Sequence, residues 1–285
     1  MSYKLIVLIA SGESEDGQVF DAAARLAKLQ QGQVRVIPVY PDPAADLVYY
    51  GVALHKANKE AALARMRESE RETQSGIERF AREAASKHGL AYGDQSGLSI
   101  VVDQRDLDPA VALAEAAVLA DVVVIGGGCA RDFLNFSALF AQTLLTSRTP
   151  VFVAKKGGFD FDRVAIAWDG SNQAGRAVKA ALPVLHTAKE IIVLQHPRDL
   201  KDLTLASDPA TLVSYLARHG LTNVRVETVQ GDEVAAALMA GARSTDCGLL
   251  IAGGYGRPRF LELVLGGTTR ALVNAEGRPH LILAH

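Results

Sequence analysis

The sequence of 285 residues has only two cysteines, Cys129 and Cys247, which lie far apart and form no C-x-x-C pair. That count excludes a disulfide framework and fits a reduced, cytoplasmic setting. Both thiols sit beside apolar runs, where a buried and inert cysteine is expected. Charge of one sign is also lacking: 30 lysines and arginines stand against 32 aspartates and glutamates. No basic field is therefore available to hold a nucleic acid. No apolar run approaches the roughly 18–20 residues that span a bilayer. The start, Met1-Ser-Tyr-Lys4, lacks the basic segment and small-residue cleavage site of a signal peptide. The seven histidines show no metal-ligand spacing such as H-E-x-x-H, and there is no G-x-S-x-G elbow to present a nucleophilic serine. A catalytic constellation is hard to assemble, and no residue stands out as a general base.

Hydrophobic residues make up 49 % and charged residues 22 %, a balance that folds rather than staying disordered. The length suits one large domain or two ordinary ones. An internal repeat decides for two. Lys4-Leu-Ile-Val-Leu-Ile-Ala-Ser11-Gly12 reads like Asp162-Arg-Val-Ala-Ile-Ala-Trp-Asp169-Gly170, each an apolar run stopped by a small polar turn. Asp121-Val-Val-Val-Ile-Gly-Gly-Gly128 matches Cys247-Gly-Leu-Leu-Ile-Ala-Gly-Gly254. Both repeats close on a proline and a short apolar run, Thr149-Pro-Val-Phe-Val-Ala-Lys155 and Arg278-Pro-His-Leu-Ile-Leu-Ala284.

Helical patterns separate these runs: Ala22 to Leu29, a long charged stretch from about Leu54 to His88, and Asp108 to Ala120 in the first repeat. Ala174 to Leu185, Pro209 to His219 and Asp232 to Ser244 follow in the second. The remaining strands are Val34 to Tyr40, Leu98 to Asp103, Ile191 to Gln195 and Val224 to Thr228. Continuous Val, Ile and Leu runs signal strands buried on both faces, hence parallel sheets with helices on both sides. The adjacent glycines of Lys155-Lys-Gly-Gly-Phe-Asp-Phe161 mark the boundary, giving α/β domains at 1–156 and 157–285.

In such sheets, ligands bind beyond the carboxyl ends of the strands. Asp169 stands at one such end. It can accept from a ribose or base group, help hold a cation, or simply cap the next helix. The other informative end is Gly253-Gly-Tyr-Gly256-Arg-Pro-Arg-Phe-Leu-Glu-Leu-Val-Leu-Gly266-Gly267-Thr268-Thr269-Arg270. Its glycines let backbone amides approach phosphate oxygens, and a helix N-terminus adds partial positive charge. Thr268 can donate a hydroxyl, and Arg257 can offset phosphate charge.

These residues resemble the universal stress protein family. That family carries an Asp after its first strand and a motif of Gly, two residues, Gly, nine residues, Gly, then Ser or Thr. Gly253, Gly256 and Gly266 keep the spacing; Gly267 stands where nucleotide-binding members have the hydroxyl, which Thr268 would supply one place later. The resemblance implies two tandem domains of adenine nucleotide alpha hydrolase-like fold, each a five-stranded parallel sheet. It implies a stress-response regulatory protein binding ATP, with or without Mg²⁺, and at most weak ATP hydrolysis. It further implies pairing of the two domains within the chain, through the final strands, and admits a homodimer. The first repeat departs further: Ser11 replaces Asp169, Ala130 replaces Gly256 and Phe140 replaces Gly266, so a structural partner without nucleotide is expected there.

Three alternatives stand beside this reading. One is a pure interaction or scaffold protein. Another is an electron-transfer flavoprotein-like domain, for which no flavin signature is present. The third is an adenylating enzyme, because Ser11-Gly-Glu-Ser14-Glu-Asp16 partly resembles the loop of ATP pyrophosphatases. There, Glu13 replaces a glycine that the loop needs. His196, after a central strand of the second repeat, is expected to be a plain loop histidine.

Overall fold

Each apolar run becomes a strand. The computed structural model describes residues 2–40, 56–105, 107–127, 134–200, 205–254, 267–277 and 279–285. The first repeat contains β1 (Leu5–Ala10), β2 (Gln33–Pro38), β3 (Ala91–Tyr92), β4 (Ser99–Val102), β5 (Val122–Gly126) and β6 (Val151–Ala154). Its helices are α1 (Asp16–Gln30), α2 (Lys56–His88), α3 (Pro109–Ala117) and α4 (Leu134–Ala141). The second repeat contains β7 (Arg163–Ala167), β8 (Glu190–Gln195), β9 (Val224–Thr228), β10 (Leu249–Gly253) and β11 (His280–Ala284). Its helices are α5 (Asn172–Leu185), α6 (Pro209–Arg218), α7 (Val234–Ser244) and α8 (Gly267–Asn274).

The described strands form one sheet in the order β3-β4-β2-β1-β5-β6-β11-β10-β7-β8-β9. Pairing is parallel throughout each repeat. The exception is the seam, where β6 runs antiparallel to β11 with Phe152 opposite Ile282. The first strand of each repeat lies in the middle: β2, β4 and β3 lie to one side of β1 with β5 and β6 to the other, and β8 and β9 lie to one side of β7 with β10 and β11 to the other.

Two apolar layers sandwich the sheet. α1, α2, α5 and α6 cover one face, with Phe20, Ile77, Val178 and Leu216 among the buried contacts. α3, α4, α7 and α8 cover the other, through Leu113, Phe140, Leu238 and Val273. A shared Asp-Pro device starts α3 and α6. Asp108 accepts from the Ala110 amide at 2.8 Å and Asp208 from the Ala210 amide at 2.9 Å. Proline at the first helical position costs no hydrogen bond.

The sequence reading is corrected in detail at two places. α1 begins six residues before Ala22, because the Asp16 amide donates to Glu13 O at 3.0 Å and opens the first turn early. β3 is an additional strand of two residues, pairing Ala91 with Ser99 and Tyr92 with Ile100. It is too short to leave an apolar run. The expected helix start at Leu54 lies outside the described residues. Several bonds cross between repeats on the α1 side: Tyr3 Oη donates to Ala180 O at 2.7 Å, and Gln30 Nε2 to Pro183 O at 3.0 Å. At the seam, Phe152, Phe159 and Phe161 surround His280, whose Nδ1 accepts from the Lys155 amide at 3.0 Å.

Candidate functional site

β7 lies between β8 and β10, and the chain leaves and returns on opposite sides of it. α5 covers one face on the way to β8; α7 covers the other on the way to β10. The carboxyl ends of β7 and β10 are therefore the switch point at which parallel sheets of this kind bind ligands. Asp169 and Gly253 both lie at these adjacent strand ends, since Ile251 pairs with Ile166 and two residues further on reach Gly253 and Trp168.

Asp169 is half-buried, and its Oδ1 accepts from the Ser171 amide at 2.9 Å. The cap of α5 is Ser171, whose Oγ accepts from the Ala174 amide at 3.1 Å. Asp169 therefore closes the turn before the helix instead of capping it. Its Oδ2 has no hydrogen-bond partner among the described residues. Gly170 holds φ at 75°, and a Cβ there would lie 2.6 Å from the backbone of Ser207. The segment Leu205–Ser207 is drawn over this glycine by Gln195 Nε2 donating to Ser207 O at 2.7 Å and Trp168 Nε1 to Ala206 O at 3.2 Å. It lies against the turn that follows β7.

Gly253 packs against the first turn of α5, where a Cβ would lie 2.7 Å from the Ala174 nitrogen. The Gly254 amide donates to Ala284 O at 2.8 Å. Gly267 and Thr268 open α8, both exposed, while Thr269 is buried. Gly256, Arg257 and Gly266 lie outside the described residues. Of the residues read from the sequence, Asp169 and Gly253 are thus brought together on adjacent strand ends, and Gly267 and Thr268 stand at a helix N-terminus.

With this topology on the page, the comparison with solved structures is informative. A universal stress protein from Archaeoglobus fulgidus DSM 4304 superposes on 99 % of this chain and 96 % of its own, with a TM-score of 0.71 and 17 % identity. The fold is that of a universal stress protein. A protein of unknown function from Pseudomonas aeruginosa PAO1 matches 99 % of this chain and 92 % of its own, with a TM-score of 0.56 and 13 % identity. No family model and no curated protein matches the sequence.

Within this universal stress protein fold, the first repeat has a carboxylate that the sequence reading missed. Ser11 holds the chain position of Asp169, but Asp16 Oδ2, from the first turn of α1, accepts from the Ser11 and Gly12 amides, each at 2.7 Å. Asp16 is buried, and burial pushes its pKa up to about 6 against the pull of those two amides. The amides that an ATP pyrophosphatase-like loop would offer to phosphate are engaged by Asp16. The available signal was an acidic residue four positions after Gly12, at a helix start. Gly12, like Gly170, has a left-handed φ of 79° and lies under another element, with a Cβ position 2.6 Å from Thr73 O of α2. Phe140, on α4, is buried in the core, and Ala130 lies outside the described residues.

His196 is a loop histidine, as read. It is buried, its Nδ1 accepts from the Arg198 amide at 3.2 Å, and its Nε2 therefore donates to Gly231 O at 3.0 Å. Cys247 is buried, and burial pushes its thiol pKa up; Cys129 lies outside the described residues. Among the described residues, no group of three or more His, Cys, Asp or Glu side chains is placed to hold a metal, and no helix is long and apolar enough to cross a membrane.

Proposed function

We propose that this chain is a cytoplasmic stress-response regulatory protein that holds ATP or a related nucleotide in its second repeat. The observation that carries the reading is Asp169 with Oδ2 unpartnered at the tip of β7, beside a strand end, Gly253, that has no side chain. In this reading, Asp169 accepts from the ribose or base, or helps hold a Mg²⁺ ion. Backbone amides at Gly253, Gly256, Gly266 and Gly267 approach phosphate oxygens, with the N-terminal amides of α8 and the Thr268 hydroxyl beside them. Arg257 offsets phosphate charge. No catalytic residue is assigned.

The first repeat, residues 1–156, serves as the structural partner of 157–285. Asp16 supports that division, because its carboxylate already engages the amides at the equivalent strand end. Nucleotide occupancy would alter the surface formed by the segment after Gly254 and so change what a protein partner meets.

Calorimetry of the full chain with ATP and Mg²⁺ tests the reading. Saturable heat is expected, weakened at least about tenfold by Asp169→Ala and left unchanged by Ser11→Ala. Absence of heat from the unmodified chain would sink the proposal.

A further inference from the structure

The two ends of the sheet are finished differently. At one end β3 pairs with Ser99 and Ile100 and shields half of β4. At the other, β9 pairs with β8, and no described residue pairs with its outer edge. The connection from α6 into β9, residues 219–223, is too short to carry a shielding strand like β3.

The bonds to β8 define what that edge offers. The Ile191 amide donates to Asn223 O at 3.0 Å, and the Val229 amide to Gln195 O at 2.8 Å. In a parallel ladder of this register, Asn223, Arg225, Glu227 and Val229 turn their main-chain groups toward β8. Those of Val224, Val226 and Thr228 turn outward, with the Val224 amide folded back to Thr222 O. An unpaired edge of this length is a template for another strand.

The side chains select which strand. Arg225 and Glu227 project from one face and pair with each other; Arg225 Nε also meets Glu190 Oε1 at 2.7 Å. On the opposite face Val226 is 43 % exposed. A twofold axis through Val226 would set Val226 against its own counterpart in a hydrogen-bonded pair. Val224 would then meet Thr228. Arg225 of each chain would face Glu227 of the other in non-hydrogen-bonded pairs, where side chains approach closest. Parallel in-register pairing would instead bring Arg225 against Arg225. The charge pattern of β9 is thus complementary to itself read backwards.

We propose that β9 pairs antiparallel with β9 of a second copy of this chain, joining the two sheets into one closed twofold dimer. A twofold contact uses the β9 edge of both chains, so this interface closes at two copies.

Analytical ultracentrifugation of the full chain tests this. A concentration-dependent dimer is expected. Val226→Pro removes an outward amide without touching the β8 ladder, so it keeps the circular dichroism spectrum and raises the dissociation constant at least about tenfold. E227R and R225E each sediment as monomers on their own, and a one-to-one mixture of the two recovers the dimer. The Val226 amide also exchanges more slowly as concentration rises. Should R225E lose its fold, because it sets a carboxylate beside Glu190, the proline variant and the Val226 exchange decide the matter. A monomer up to about 100 µM, or a dimer indifferent to both V226P and E227R, overturns the proposal.

Discussion

The Lys155 ammonium donates to the Leu272 carbonyl at 2.7 Å, tying the residue after β6 in the first repeat to the C-terminal turn of α8 in the second. It donates also to Val273 O at 3.0 Å and to Ala275 O. A cation on the last carbonyls of a helix satisfies groups that the helix cannot, and complements its dipole. Lys155 is buried, so these bonds are shielded from water. Lys155→Met keeps the apolar stem but strips donors from three carbonyls. A loss of about 2–4 kcal/mol in urea unfolding is expected. Because α8 opens with Gly267 and Thr268, weaker ATP binding should accompany it. Unchanged stability would mean that the ammonium contributes nothing net.

Asp16 gives a pH dependence with a definite sign. Its folded pKa is about 6, against an ordinary aspartate value of about 3.9. Between those values the folded chain binds more protons at this site than the unfolded chain. Stability from this group therefore falls as pH rises from about 4 to about 6, and the penalty is full above that. Both amide bonds go to the single oxygen Oδ2, which an asparagine carbonyl can replace. Asp16→Asn should be more stable than the native chain by about 1–3 kcal/mol near neutral pH, the gap closing toward pH ~4. Urea titrations across that range measure it; a gap independent of pH would refute the assignment.

Gly253 and Gly267 should answer substitution in opposite ways. A Cβ at Gly253 would meet the Ala174 nitrogen at 2.7 Å and the Gln173 carbonyl carbon at 2.9 Å, whereas one at Gly267 meets nothing within 4 Å. Gly253→Ala is expected to cost about 1–3 kcal/mol by overpacking and to lose ATP binding. Gly267→Ser should be accommodated, gain up to about 0.5 kcal/mol of helix propensity, and tighten ATP binding by adding a hydroxyl at the helix N-terminus. Thermal melts and calorimetry on both variants read out the contrast. Equal effects would mean that the two positions are not different in kind.

The central strands were legible because a strand buried on both faces must be apolar at every position, and Leu5–Ala10 and Val122–Gly126 are such runs. Helix starts at Asp108-Pro109 and Asp208-Pro209 were legible because capping chemistry is local. The pairing of Asp169 with Gly253 followed from the repeat and the rule for parallel sheets. The glycine spacing through Gly256 and Gly266 remains a sequence expectation, since those residues lie outside the described ones.

Asp16 shows what a linear reading cannot supply: whether a carboxylate is solvated or buried against two amides depends on the helix that lowers it onto the strand end. The sequence by itself determined the duplicated α/β plan, through composition and periodicity, which act over a few residues. Only the tertiary structure decided that Phe152 stands opposite Ile282 where β6 meets β11, that Lys155 closes α8, and that no described residue pairs with the outer edge of β9. Those choices are made by hydrogen-bonding groups on segments far apart in the chain, and a backbone amide carries no mark in the sequence of the partner it will find.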